Sequence, residues 1–166
     1  RIAVCLACGY AASAEVARAM TREHVEQAPG SARPPEEVST PGVTTIGDVS
    51  AMLKVSPSDL IKTLVYTADG EPVVVLLRGD HEANETKIKN HLKAVSLELA
   101  DEATVTKVTG GPMGFSGPIG LHGKVRVFGD ASVRGMKDAV TGANKKDAHV
   151  RNVNPARDFK VNEWID

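Results

Sequence analysis

Aromatic residues are scarce: three Phe, two Tyr and one Trp make up 4% of the 166 residues. A core must therefore be built from Val, Leu, Ile and Ala rather than from large rings. Long apolar runs are missing as well. No stretch approaches the ~20 residues that a membrane-spanning helix needs. The opening RIAVCLACGY is too short and too lightly charged to be a secretory leader. Neither sign of charge dominates: 20 Lys and Arg against 21 Asp and Glu give a net charge of −1. No whole-molecule field advertises a nucleic-acid binder. The familiar catalytic signatures are absent too, with no G-x-S-x-G elbow, H-E-x-x-H, Walker loop or dinucleotide fingerprint. His24, His81, His91, His122 and His149 show no metal-ligand spacing. Cysteine is limited to Cys5 and Cys8. Their C-x-x-C is half a zinc ribbon without its second pair, and no thioredoxin-like βαβ context follows it. It reads as two reduced thiols, or as half a site whose other ligands lie elsewhere in a longer parent chain. The chain also opens on Arg1 without a Met, which suggests a piece of something longer.

What is present is ordinary in bulk and informative in detail. Hydrophobic residues make up 42% and charged residues 25%, as in a soluble globular protein. The length allows one domain with a real core. From Lys124 to Lys160 nine Lys or Arg face four Asp, so a local basic surface is open to the C-terminal third, although a solvated face explains such a bias more often. The most structured stretch is LIKTLVYTADGEPVVVLLRGD, Leu60 to Asp80. It reads as a β-hairpin with its turn at Ala68-Asp69-Gly70-Glu71. The run Val73 to Leu77 predicts a strand covered on both faces. Lys62 does not fit an apolar strand. It is either a snorkelling surface residue or a placed positive charge, and position alone favours the former.

Other elements follow from caps and punctuation. Ser13 caps an expected helix to about Gln27, and residues 28–35 are a linker. Glu36 to Ser39 adds a short strand, and Thr40-Pro41-Gly42 a turn. Thr45 and Asp48 open a short helix with Ile46, Val49 and Leu53 on one face. Ser56-Pro57-Ser58-Asp59 opens a single turn. Asn84 caps a helix to about Leu92, Val95 to Leu99 is a strand, and Asp101 starts a helix that Gly110 ends. Residues 110–123, GGPMGFSGPIGLHG, carry glycine at six of fourteen positions. Such a loop is either flexible or placed for close backbone approach to a ligand, and its amides could face an oxyanion or phosphate. Further strands are expected at Lys124 to Phe128, Ala139 to Gly142 and His149 to Val153. Asp130 reads first as a helix cap. Arg78-Gly79-Asp80-His81 reads as a turn that ends a strand. The mixture predicts an α/β fold with a mixed, curved sheet and surrounding helices. No nucleophile-plus-base set is visible.

Four segments in this order carry a resemblance: Thr40 to Tyr66 (TPGVTTIGDVSAMLKVSPSDLIKTLVY), Leu76 to Asn90 (LLRGDHEANETKIKN), Gly114 to Leu121 (GFSGPIGL) and Gly142 to Phe159 (GANKKDAHVRNVNPARDF). Together they resemble the editing insertion domain of bacterial prolyl-tRNA synthetases, in the YbaK-like aminoacyl-tRNA deacylase family. Cys5 to Ala17 resembles the synthetase segment that leads into that insertion, which implies a division into a lead-in at 1–35 and an editing domain at 36–166. The family hydrolyses mischarged aminoacyl-tRNA. The insertion domain removes alanine from tRNA for proline, and free-standing relatives act on other species such as cysteinyl-tRNA. Alanine is smaller than proline, so a proline site rejects it by only ~1–3 kcal/mol, and a second sieve is needed.

The resemblance gives Lys62 the role of the lysine required for deacylation, holding a phosphate or ribose oxygen of the tRNA 3′ end. Gly114, Phe115, Ser116, Gly117 and Pro118 match the G-x-x-x-P loop that positions the aminoacyl ester. Thr40 and His149 match polar pocket residues, and Asp130 is a weaker match. The chemistry implied uses the substrate's own vicinal ribose hydroxyl, or a water it orients, with no cofactor and no metal. The partners implied are the tRNA(Pro) 3′ end carrying a wrong amino acid and the catalytic domain of the parent synthetase, which itself binds ATP. The resemblance further implies a cytoplasmic protein without a membrane partner, monomeric in isolation and homodimeric as the parent enzyme. Two other readings stay open. One is a non-catalytic module that binds the acceptor end; the other is a free-standing deacylase.

Overall fold

A computed structural model describes residues 1–17 and 33–165. Its elements, in chain order, are β1 (Ile2–Val4), β2 (Ala11–Ser13), β3 (Glu36–Ser39), α1 (Ile46–Leu53), a 3₁₀ turn at Pro57–Asp59, β4 (Ile61–Ala68), β5 (Glu71–Arg78), α2 (Glu85–Leu92), β6 (Leu97–Leu99), α3 (Glu102–Thr109), β7 (Arg126–Asp130), a 3₁₀ turn at Ala131–Val133, β8 (Ala139–Gly142), β9 (Ala148–Val153) and β10 (Glu163–Ile165). The α/β class with a mixed sheet read from the sequence holds. Five strands lie in the order β10-β7-β5-β4-β6, three in the order β3-β9-β8, and β1 pairs only with β2. In the large sheet β7 runs parallel to both β5 and β10, while β4 is antiparallel to β5 and β6. A parallel bridge from Leu60 to Val140 and a hydrogen bond from Thr141 Oγ1 to the Ile61 carbonyl (3.0 Å) join the two main sheets.

The hairpin is the centre of the molecule. Asp69 and Gly70 have φ of 49° and 87°, so both central residues of the two-residue turn are left-handed, as the twist of a tight hairpin requires. β5 is buried along Val73–Leu77, from 0% to 5% exposed. Its side chains alternate between two cores. Val74 and Leu76 meet Val105 and Val108 of α3 on one face, and Val73, Val75 and Leu77 meet Ile88 of α2 and Phe128 of β7 on the other. This is the doubly covered strand that its unbroken apolar run announces. A third, smaller core unites Val49 of α1 with Leu60 and Val140.

The capping residues act as expected. Thr45, Asn84 and Asp101 each accept a backbone N–H three residues on, and Ser56 with Asp59 forms a reciprocal capping box.

Several elements differ from expectation. Ser13 ends β2 rather than opening a helix there. Its carbonyl accepts from Val16 and Ala17 in a turn, and the rest of the expected helix lies outside the described residues. β6 starts at Leu97 because the amides of Val95 and Ser96 donate to the Asp69 carboxylate at 2.7–3.1 Å instead of to a ladder. Those amides hold the Asp69 carboxyl below its usual range. β7 extends through Gly129 to Asp130 because β10 pairs there, and the indole of Trp164 fills the space a side chain at Gly129 would need. β1, β2 and β10 were not anticipated. Each has three residues, too short for a period-two pattern.

Candidate functional site

β4 opens where the two sheets meet. Below Tyr66 it has no strand partner on the side away from β5, because β6 pairs only with Tyr66–Ala68. A cavity of about 410 Å³ lies against this open edge. Its wall comes from five separated segments: the start of α1 (Thr44, Thr45, Ile46, Val49), the start of β4 (Leu60 to Val65), the approach to α3 (Leu99, Ala100, Val105), the glycine-rich loop (Met113, Gly114, Ser116), and the β8–β9 hairpin (Thr141, Gly142, His149). The wall is mostly apolar. Its only charged side chain among the described residues is Lys62, and no Asp or Glu lines it.

Lys62 stands at the second position of β4 with its side chain 20% exposed. Its ammonium donates to the His81 carbonyl at 2.8 Å and pairs with the Glu82 carboxylate at 3.3 Å. The two readings of this lysine were a snorkelling residue and a placed charge. The ammonium is held by a backbone carbonyl and an exposed carboxylate, neither of which lines the cavity.

The loop is fixed by backbone contact. The Asn144 amide donates to the Phe115 carbonyl (2.8 Å), Asn144 Oδ1 accepts from the Gly117 amide (2.6 Å), and Asn144 Nδ2 donates to the Ile119 carbonyl (2.7 Å). A Cβ at Gly117 would run into the Gly142 carbonyl, and a Cβ at Gly142 into the carbonyls of Phe115 and Ser116. Loop and β8 therefore approach each other through bare backbone, which answers the choice between flexibility and close approach. The amides of Phe115 and Gly117 are engaged, the former by the Pro112 carbonyl, and Pro118 has none. Of residues 114–118, Gly114 and Ser116 line the cavity.

His149 is 5% exposed. Its Nδ1 lies 2.6 Å from Thr40 Oγ1, itself fully buried, and the Phe115 ring meets the imidazole edge-on at 5.8 Å between centroids. Burial lowers the His149 pKa, so the ring is neutral at pH 7. A depressed histidine pKa means that the unfolded chain takes up the proton first as pH falls. The stability gained from the neutral ring is complete above the unfolded value near 6.5 and is lost as pH drops through the folded one. The melting temperature is expected to fall between pH 7.5 and 5, and the His149→Gln variant to flatten that slope. An unchanged slope in the variant would place the titration elsewhere.

The sequence-derived set thus divides. Lys62, Gly114, Ser116 and His149 line the cavity. Thr40 and Phe115 hold His149, and Gly117 and Pro118 are buried within the loop. Asp130 is the exception: it does not line this cavity. Its carboxylate accepts from the Ser132 amide at 2.9 Å as the cap of the second 3₁₀ turn and lies 3.9 Å from His81 Nδ1, beside a separate, smaller hollow shared with Glu82, Asn84 and Lys87. The cap reading of Asp130 is correct, and the residue lies outside this cavity. Sequence reasoning missed Thr63, Thr141 and Asn144. A threonine beside Lys62 in an otherwise apolar strand was the available signal for the first.

The aminoacyl-tRNA editing domain profile matches residues 40–159. The chain belongs to this family. The editing domain is also 51% identical over 165 residues to a proline–tRNA ligase of Geobacter sp. (strain M21) and 46% identical over 162 residues to that of Syntrophus aciditrophicus (strain SB). These matches cover 99% and 98% of the chain and 28% of each ligase, so the chain spans little more than a quarter of these relatives. In fold it resembles a crystal structure described as a trans-editing enzyme for prolyl tRNA synthetase, at TM-score 0.63 and 18% identity, over 70% of this chain and 74% of that one. The resemblance drawn from the four segments is upheld. Among the described residues no helix is long and apolar enough to cross a membrane.

Proposed function

We propose that this editing domain hydrolyses the ester of alanyl-tRNA(Pro) as part of a prolyl-tRNA synthetase, with residues 1–35 as the lead-in from the parent chain. The supporting observation is the cavity itself: a mostly apolar chamber lined by Lys62 and by a backbone-clamped glycine-rich loop. Lys62 takes a phosphate or ribose oxygen of the terminal adenosine, exchanging its contact to Glu82 for the nucleotide. A compact ammonium suits that point contact. The amides of Gly114 and Ser116 serve the ester carbonyl, where negative charge grows in the transition state. The apolar wall takes the alanine methyl.

Among the described residues, no Ser, Cys or Thr at the cavity stands in a nucleophile-base-carboxylate relay; the one histidine there is turned toward Thr40. The reaction then falls to water and the substrate. The vicinal ribose hydroxyl orients a water, and the water's oxygen bonds to the ester carbon. The bond from that carbon to the ribose oxygen breaks, and the ribose oxygen leaves with a proton. The products are free alanine and tRNA with both terminal hydroxyls. The protein contributes placement and a polar environment at the reacting ester. On alanyl-tRNA ending in 2′-deoxyadenosine, hydrolysis is expected to fall by about 100-fold or more, the scale on which lost positioning acts. Equal rates on the two substrates would reject substrate assistance.

A further inference from the structure

The open edge of β4 carries a set of acceptors that the account above does not use. The Ile61 carbonyl accepts from Thr141 Oγ1 and the Val65 carbonyl accepts from the Ala100 amide, each at 3.0 Å. Both carbonyls therefore point away from β5. Strand alternation sends the carbonyl of Thr63, midway between them, to the same side. The hairpin register agrees. Thr67, of the same parity as Thr63, lies opposite Pro72, which has no N–H to donate and so occupies a position without ladder bonds. Thr63 lines the cavity next to Lys62. Its hydroxyl is buried, yet it makes no hydrogen bond among the described residues. A buried hydroxyl without a partner is disfavoured, and its presence in a cavity wall calls for a ligand.

The chemistry of the expected ligand supplies the complement. An aminoacyl ester carries a primary α-ammonium, which must be hydrogen-bonded in any apolar chamber. Among the described residues no carboxylate lines this one, and the acceptors there are neutral. The hydroxyl of Thr141 is committed to Ile61, and the imidazole of His149 to Thr40. Thr63 offers a carbonyl and a hydroxyl side by side. A carbonyl beside a hydroxyl that can also accept suits a cationic donor with several N–H groups.

We infer that Thr63 is a positioning residue for the acyl group: its carbonyl and Oγ1 accept from the α-ammonium of the bound amino acid while Lys62 holds the nucleotide. This rests on the deacylase reading and adds to it a recognition element for the amino-acid end of the substrate.

The test compares the chain with its Thr63→Val and Thr63→Ser variants on two esters. One is alanyl-tRNA. The other is lactyl-tRNA, in which a hydroxyl replaces the ammonium at nearly constant shape. Thr63→Val keeps the volume and removes only the hydroxyl. Its kcat/KM on alanyl-tRNA is expected to fall roughly 10- to 100-fold, the scale of one hydrogen bond to a charged group. Its loss on lactyl-tRNA is expected to be much smaller, Thr63→Ser to keep most of the activity, and the melting temperature of Thr63→Val to be unchanged or higher. Full activity of Thr63→Val on alanyl-tRNA overturns the inference, and so does an equal fractional loss on both esters. A wild-type chain that cleaves neither ester overturns the deacylase reading and this inference together, whereas an active wild type with an indifferent Thr63→Val overturns this inference alone.

Discussion

Replacing Lys62 by Ala is expected to lower hydrolysis of alanyl-tRNA by about 100-fold or more while barely moving the melting temperature. Both halves follow from where the ammonium sits. In the free chain its ionic partner, Glu82, is 93% exposed, and an ion pair to a solvated carboxylate is worth about 0–1 kcal/mol. Little stability is at risk. Lys62 is the one Lys, Arg, Asp or Glu among the described residues that line the cavity. A lost charge-assisted contact made in the transition state is worth about 2–4 kcal/mol. Lys62→Arg is expected to restore only part of the rate, because a planar fork cannot take the place of a compact point charge held by the His81 carbonyl. Deacylation rates and thermal melts on the same preparations check both halves. A variant that melts lower and still hydrolyses would make Lys62 a structural residue.

Gly142→Ala is expected to have the other large effect, by a different route. The added methyl would be driven into the carbonyls of Phe115 and Ser116. Neither is the end of a flexible side chain, so the backbone of the loop or of β8 must move. Overpacking of this kind costs about 1–3 kcal/mol. A displacement near 1 Å of the groups that hold a substrate costs about 100-fold in rate. The variant should therefore melt several degrees lower and lose activity in proportion to the loop shift, with Lys62 untouched. Gly120→Ala is the control: it lies in the same glycine-rich segment, but an added Cβ there meets nothing within 4 Å. It carries only the strain of its positive φ of 72° and should retain the rate. Equal loss in both variants would mean that general stiffness of the segment matters, not the clamp against β8.

Elements governed by local chemistry were legible before the structure. The Asp69-Gly70 turn, the caps at Thr45, Asn84 and Asp101, and the apolar run of β5 each announce themselves within a few residues. The three-residue strands did not. β10 exists because Trp164 fits over Gly129, a fact about two segments 35 residues apart. The start of β6 is set by a carboxylate in the preceding hairpin turn. The cavity was harder still. Lys62 and the glycine-rich loop were singled out as odd, but their partnership came from the family resemblance and not from spacing, since five segments must fold before any wall exists. Asp130 shows the converse. Its local reading as a cap was right, and the fold sets it beside a hollow separate from the cavity. Thr63 could not be distinguished from an ordinary strand threonine until its hydroxyl was found buried and unbonded.

The proposed reaction removes alanine, and not proline, from tRNA for proline. The most direct measurement is the initial rate of ester hydrolysis by the purified chain on alanyl-, prolyl- and cysteinyl-tRNA side by side. The account predicts rapid loss of alanine, with prolyl-tRNA spared to near its uncatalysed rate. Preferential cleavage of cysteinyl-tRNA, or equal cleavage of alanyl- and prolyl-tRNA, would contradict it.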